Sequence, residues 1–235
     1  MIRAVFLDAG GVFHFPNEEG VRQALAEVGF ELPPGALLRA HHTAMRRLDE
    51  VGRAHVEGDW SRAYVDGLAA GLGVPESVLE DALTGLRAFF ARPGSWSGVI
   101  ADSVAALPEL AATGVRLAVV SNADGTVEAR LRDEGIVQVG DGVGTRVDIV
   151  VDSAVVGVAK PDPRIFEPAL AATGVRPDEA VHVGDSVLAD VGGARAAGIT
   201  PLHLDPFALC EDGDHDHVRS LHEVAARVRL QRHER

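Results

Sequence analysis

Five short apolar runs punctuate this chain, and each leads into turn residues and then a helical pattern. They are Ala4–Leu7 (AVFL), Val115–Val120 (VRLAVV), Val147–Val151 (VDIVV), Ala180–Val183 (AVHV) and Ile199–Leu204 (ITPLHL). The runs are rich in β-branched residues and lack clean alternation with polar ones. A strand covered on both faces has that composition, and such strands belong to parallel sheets. Helical patterns over 101–113, 124–134, 164–173 and 187–197 separate the later runs. Strand and helix in alternation predict a doubly wound, Rossmann-like α/β core.

One stretch breaks the alternation. Residues 17–92 hold no strand-like run but carry the amphipathic segments GVRQALAEVGF, GALLRAHHTAMRRLDEV, WSRAYVDGLAAGLGV and ESVLEDALTGLRAFF. Pro33–Pro34 and Pro75 punctuate them, and Pro93–Gly94 marks the return. The expected organisation is a core of 1–16 and 93–235 with an all-helical cap, 17–92, inserted after the first strand. Hinges are expected near Phe15–Pro16 and Arg92–Pro93–Gly94. Met45, Trp60, Phe89 and Phe90 read as cap packing, and Trp96 as packing or a hinge contact. The chain's end, EDGDHDHVRSLHEVAARVRL, reads as a solvated polar loop, its 211–217 stretch matching no fixed metal spacing, then an amphipathic helix.

Composition narrows the partners. At 235 residues the chain suits one core with an insert. With 22 Lys and Arg against 35 Asp and Glu, the net charge is −13, and no basic stripe exists to release counterions. Nucleic acid and anionic membrane surfaces are therefore not expected partners. The lone cysteine, Cys210, excludes an intrachain disulfide and a Cys-based zinc site, and reads as a buried inert thiol. The opening MIRAVFLDAGGVF is too short, and too soon broken by Asp8, for a signal peptide, and no apolar run reaches the ~20 residues of a membrane span. A cytoplasmic monomer or homodimer is the expectation.

Four segments carry the chemistry. In AVFLDAGGV a buried strand ends at Asp8, beyond which Gly10 and Gly11 let backbone approach a ligand. In AVVSNADG a strand ends at Ser121–Asn122, a hydroxyl and backbone amides suited to phosphate. In VVGVAKPDPRIF, Lys160 precedes a proline-stiffened helix entry and can serve as a point charge. In AVHVGDSVLADVGGARAAG, Asp185 and Asp190 flank a helix start, with oxygens suited to Mg²⁺. Taken singly, Asp8 reads equally as a turn cap, Ser121 as a plain cap and Lys160 as a solvated lysine.

In order and spacing the four segments resemble the motifs of the haloacid dehalogenase-like hydrolase superfamily, in its helical-cap subgroup. The resemblance covers essentially the whole chain. It implies that Asp8 attacks phosphorus to give an aspartyl-phosphate. Ser121 and Lys160 then hold the phosphoryl group. Asp185 and Asp190 anchor Mg²⁺, with Asp8 and the Gly10 carbonyl as further ligands. The first strand is implied to lie near the centre of the sheet. The implied function is Mg²⁺-dependent hydrolysis of a small phosphorylated metabolite.

The sequence departs from the family at Gly10, where typical phosphatases carry a second Asp as general acid and base. That help is worth roughly 10²–10⁴-fold. Its loss leaves open a phosphatase using another group, with His14, His41, His42, Arg46 and Arg47 as candidates. It equally fits a substrate whose leaving group needs no acid, or a binding protein without turnover. His41 and His42 read as lying on a partly solvated helix face. A 2-haloacid dehalogenase, which needs no acid for halide, is a further alternative, but Gly184–Asp185 and Asp190 fit a metal site instead.

Overall fold

The computed structural model describes residues 1–53 and 60–233. In chain order the elements are β1 (Ala4–Leu7), β2 (His14–Phe15), α1 (Glu18–Ala26), α2 (Ala36–Arg53), α3 (Trp60–Leu72), α4 (Leu79–Phe90) and β3 (Gly98–Val99). There follow α5 (Ala101–Ala112), β4 (Arg116–Ser121), α6 (Val127–Asp133), β5 (Val137–Val139), β6 (Thr145–Val147), β7 (Val150–Asp152), α7 (Ser153–Val156) and α8 (Glu167–Thr173). The chain closes with β8 (Ala180–Gly184), α9 (Gly192–Ala196), β9 (Thr200–Leu204), β10 (Asp216–Val218) and α10 (Leu221–His233). The chain divides into two compact units, 1–13 with 100–235, and 14–99.

The first unit is built on a parallel six-stranded sheet in the order β10-β9-β8-β1-β4-β7. β1 lies inside it, with Ala4 opposite both Arg116 of β4 and Ala180 of β8. The two-residue period of a strand sends alternate side chains to opposite faces. Val5 and Leu7 join Leu117, Val119, Val181 and Val183 in one core, covered by residues of α5, α6 and α10. Ala4 and Phe6 join Ala118, Val120 and Ala180 in the other, covered by Ile165, Phe166, Ala169 and Ala194. Both faces of the inner strands are covered, which is why the runs are largely apolar. Among the described residues no helix is long and apolar enough to cross a membrane.

Local readings needed three corrections. The VDIVV run is not one strand: a bend at Asp148 separates β6, which pairs with β5, from β7, which pairs with β4. The helix expected over 187–197 begins as a π-turn, Val187–Val191, in which the Val191 N–H reaches the Ser186 carbonyl. The polar stretch 211–217 is not wholly a solvated loop. Residues 216–218 form β10, held beside β9 by register with Leu202–Leu204 and by the fully buried Val218.

The second unit packs α1–α4 around Leu25, Leu37, Leu68, Leu86 and Phe89, with Met45, Phe90 and Trp96 against them. The short antiparallel pair β2–β3 belongs to this unit. His41 and His42 are buried, not partly solvated. The reason is aromatic packing: His41 Nδ1 lies 2.9 Å from the Tyr64 hydroxyl, and its ring stands edge-on to Trp96. Arg46 pairs with Glu50 on the exposed face, and Arg47 is exposed as well. His14 is buried. The Trp60 side chain lies outside the described residues.

Candidate active site

Asp8 follows β1, Ser121 closes β4 and Asp185 follows β8, with β1 the sheet neighbour of both other strands. The chain runs outward from β1 through β4 and β7, then returns to β8 on the other side. Strand order thus reverses beside β1, and the crevice beyond carboxyl ends at such a reversal is where open α/β sheets bind ligands.

Lys160 joins the parts. Its side chain is 1% exposed, and its Nζ lies 2.9 Å from Asp8 Oδ1 and 2.6 Å from Asp190 Oδ1. It also donates to the Val120 carbonyl at 3.0 Å. An ammonium has three N–H donors, and these acceptors match them. Burial alone would lower the lysine's pKa, but Asp190 and Asp8 outweigh it and hold the pKa above its ordinary value. Asn122 fixes the lysine's backbone: its Oδ1 accepts from the Lys160 N–H at 2.8 Å, and its Nδ2 donates to the Lys160 carbonyl at 3.0 Å. The Asn122 side chain thus positions Lys160.

The carboxylates divide by environment. Burial would raise the Asp190 pKa, but Lys160 and His182 outweigh it and hold the carboxyl far below the usual range. His182 Nε2 lies 2.8 Å from Asp190 Oδ1, and Oδ2 accepts from the Ser186 N–H at 3.0 Å. Both oxygens of Asp190 are thus engaged by protein groups. Burial pushes Asp8 up, Lys160 opposes it, and the Asp190 charge adds to the rise, while Lys160 and Ser121 hydrogen-bond the carboxylate. The Asp8 side chain keeps 12% exposure, a face that a ligand can reach. Asp185 is pushed well up, by burial first and then by Asp190 and Asp8.

Asp8, Asp185 and Asp190 each offer an oxygen within 4.8 Å of the others. Set against the Lys160 ammonium they leave an excess of negative charge, which adds to the dominant effect of burial in pushing Asp8 and Asp185 up. An all-oxygen set in a negative pocket fits a hard divalent cation such as Mg²⁺.

Two glycines permit this crowding. Gly11 has φ +66°, and a Cβ there would fall on the Asp185 carboxylate. A Cβ on Gly184 would fall on the Asp190 carboxyl group. Gly10 differs, since a Cβ there meets nothing within 4 Å. Its φ also lies outside the positive region where side chains are strained.

The expected residues Asp8, Gly10, Gly11, Ser121, Asn122, Lys160, Asp185 and Asp190 all belong to the first unit, whereas His14, His41, His42, Arg46 and Arg47 belong to the second. Sequence reasoning missed His182, whose ring stands edge-on to Phe166 while its Nδ1 has no partner among the described residues. The available signal was a histidine in the middle of an otherwise apolar strand, two residues before Gly184.

Comparison with known proteins places the chain in a hydrolase family. A family model described as haloacid dehalogenase-like hydrolase matches residues 2–198, and the chain belongs to that family. It is 32% identical over 229 residues, 90% of this chain and 88% of the relative, to haloacid dehalogenase-like hydrolase domain-containing protein 3 of Danio rerio. It is 36% identical over 151 residues, 64% of this chain and 56% of the relative, to phosphoserine phosphatase of Thermus thermophilus. The 2-haloacid dehalogenase of Pseudomonas syringae shares the fold at TM-score 0.56 and 23% identity, covering 99% of both chains.

Proposed function

We propose that the chain hydrolyses a small phosphorylated metabolite with Mg²⁺, through an aspartyl-phosphate on Asp8. The observation that carries this reading is the buried Lys160 ammonium held between Asp8 and Asp190, with Asp185 close by. A relative named phosphoserine phosphatase supports the phosphate class. A 2-haloacid dehalogenase would use no metal, whereas Asp8, Asp185 and Asp190 together fit one.

A carboxylate cannot approach a phosphate dianion unless positive charge offsets the repulsion. Lys160 supplies a fixed charge at Asp8 Oδ1. Asp8, Asp185 and the Gly10 carbonyl would hold Mg²⁺, with Asp190 adding charge and orienting Lys160. When bound, the ion supplies further charge neutralisation and Lewis acidity at the phosphoryl oxygens. The Ser121 hydroxyl would donate to the phosphoryl group, and Lys160 would hold it by charge, trading its Asp8 contact for a phosphoryl oxygen. An Asp8 oxygen bonds to phosphorus as the bond from phosphorus to the leaving oxygen breaks. That oxygen takes its proton from solvent, because Gly10 carries no acid. Water then attacks phosphorus, releasing inorganic phosphate and restoring Asp8. Substrates whose leaving group is stable without a proton, such as acyl phosphates, suit this site best.

The test is phosphate release across a panel of phosphorylated metabolites, with Mg²⁺ and with excess EDTA. Turnover should need Mg²⁺, and Asp8→Asn should lower it by ~10⁴-fold or more. Full activity in EDTA overturns the reading. Chloride release from 2-chloropropionate without metal makes the chain a dehalogenase, and metal binding with no turnover makes it a binding protein.

A further inference from the structure

A second cluster of metal-ligand residues lies in the first unit, built on β9 and β10. The two strands run parallel with His203 opposite His217. The segment joining them brings Cys210 and His215 to the same point. His215 Nε2 lies 3.0 Å from His203 Nδ1, 2.9 Å from His217 Nε2 and 3.8 Å from Cys210 Sγ. One ligand atom from each of the four residues lies within 4.8 Å of the rest.

The outer bonds of two rings fix where their protons sit. His215 Nδ1 lies 2.7 Å from Asp214 Oδ1, and Arg195 Nη1 donates to the other oxygen of that carboxylate at 3.0 Å. A carboxylate accepts, so His215 carries its proton on Nδ1 and presents a lone pair at Nε2. His203 Nε2 lies 3.2 Å from the Asp185 backbone carbonyl, which also only accepts. His203 therefore carries its proton on Nε2 and presents a lone pair at Nδ1. The two lone pairs face each other at 3.0 Å. His203 is 5% exposed and the His215 side chain is fully buried, so bulk water cannot separate them. A single added proton would bridge only one of the two close nitrogen pairs at His215. A cation coordinated by all of them removes the whole conflict.

We infer that His203, Cys210, His215 and His217 bind one divalent transition-metal ion of the zinc class, at a site distinct from the Asp8–Asp185–Asp190 pocket. Imidazole and thiolate donors select such an ion over Mg²⁺ or Ca²⁺. Tetrahedral zinc bonds of ~2.0–2.1 Å to nitrogen and ~2.3 Å to sulfur would set the ligand atoms about 3.3–3.6 Å apart. The separations around His215 Nε2, 2.9–3.8 Å, bracket that range. The carboxylate on His215 and the carbonyl on His203 are the outer partners that metal-bound histidines use. A lone cysteine excludes a site built on cysteines, but not one in which histidine supplies the other three ligands. Four protein ligands leave no open position, so the ion is structural. It pins the 205–216 segment to β9, and His203 carries that constraint to the backbone of Asp185.

The test uses the full chain, stripped with chelator, loaded with Zn²⁺ or Co²⁺ and dialysed. One equivalent of zinc should stay bound in excess Mg²⁺, and should stay bound in Asp8→Asn. Co²⁺ should give visible d–d bands of tetrahedral intensity and a near-ultraviolet thiolate charge-transfer band. Cys210→Ser should lose the charge-transfer band, and His215→Ala should weaken zinc binding by ~100-fold or more. The Cys210→Ser spectrum decides the matter even if His215→Ala does not fold. Less than a tenth of an equivalent retained by the wild type overturns the inference. So does a Co²⁺ spectrum of octahedral weakness, or one that Cys210→Ser leaves unchanged.

Discussion

Gly10 and Gly11 are neighbours with opposite constraints. Gly11 needs both its positive φ and its missing Cβ, because the Asp185 carboxylate occupies the space. Gly11→Ala should therefore cost about 1–3 kcal/mol of stability in denaturant unfolding and depress kcat/KM with it. Unchanged stability would mean that Asp185 moves aside freely. Gly10 has open space at Cβ and an ordinary φ, so an aspartate there is sterically allowed. If the missing acid limits turnover, the wild type should rank substrates steeply by leaving-group pKa, with acetyl or p-nitrophenyl phosphate far ahead of alkyl phosphates. Gly10→Asp should flatten that slope by restoring up to ~10²–10⁴-fold on the alkyl substrates. The measurement is kcat/KM over a leaving-group series for both proteins. A flat wild-type series would show that another group already donates the proton.

Positioning rests on contacts between elements. Asn122, just beyond β4, grips the Lys160 backbone through two hydrogen bonds across 38 residues of chain. Asn122→Ala should cost about 1 kcal/mol, as two part-buried bonds lose their partner. The π-turn after β8 aims Asp190 at Lys160, and His182 of β8 holds the same oxygen from within the sheet. His182→Leu should lower kcat more than it raises KM, and His182→Gln, which keeps an N–H donor, should recover part of the loss. Equal recovery by Leu and Gln would show that His182 only fills space. Lys160→Met leaves three buried carboxylates without their ammonium, a change worth about 3–5 kcal/mol. Added Mg²⁺ should then raise Tm more in the variant than in the wild type, read by thermal unfolding. A smaller shift would place the cation elsewhere.

For the whole molecule, what was legible was what is local. β1 occupies the apolar run Ala4–Leu7, and β8 and β9 fall within a residue of theirs, because burial on both faces demands unbroken apolar stretches. The carboxylates and Lys160 were legible because each sits at a strand end or a helix entry. β10 was not: Asp216 and His217 look solvated until β9 lies alongside. Nor was the burial of His41, which depends on Tyr64 and Trp96 arriving from elsewhere. The Asn122 grip on Lys160 was not legible, because its partner is a backbone that only tertiary structure brings near. The sheet order also bears on biosynthesis. β1 is translated before β4 and β8, yet its register partners are residues 116–119 and 180–183. At ~5–20 residues per second a ribosome takes roughly 10–40 s to supply the second of these. The whole 14–99 unit is made in the interval, while the fully apolar β1 strand waits without either flank. The nascent chain thus carries an AVFL segment with no flank until β4 emerges and only one until β8 does, which makes the start of the sheet the natural place for a chaperone to bind.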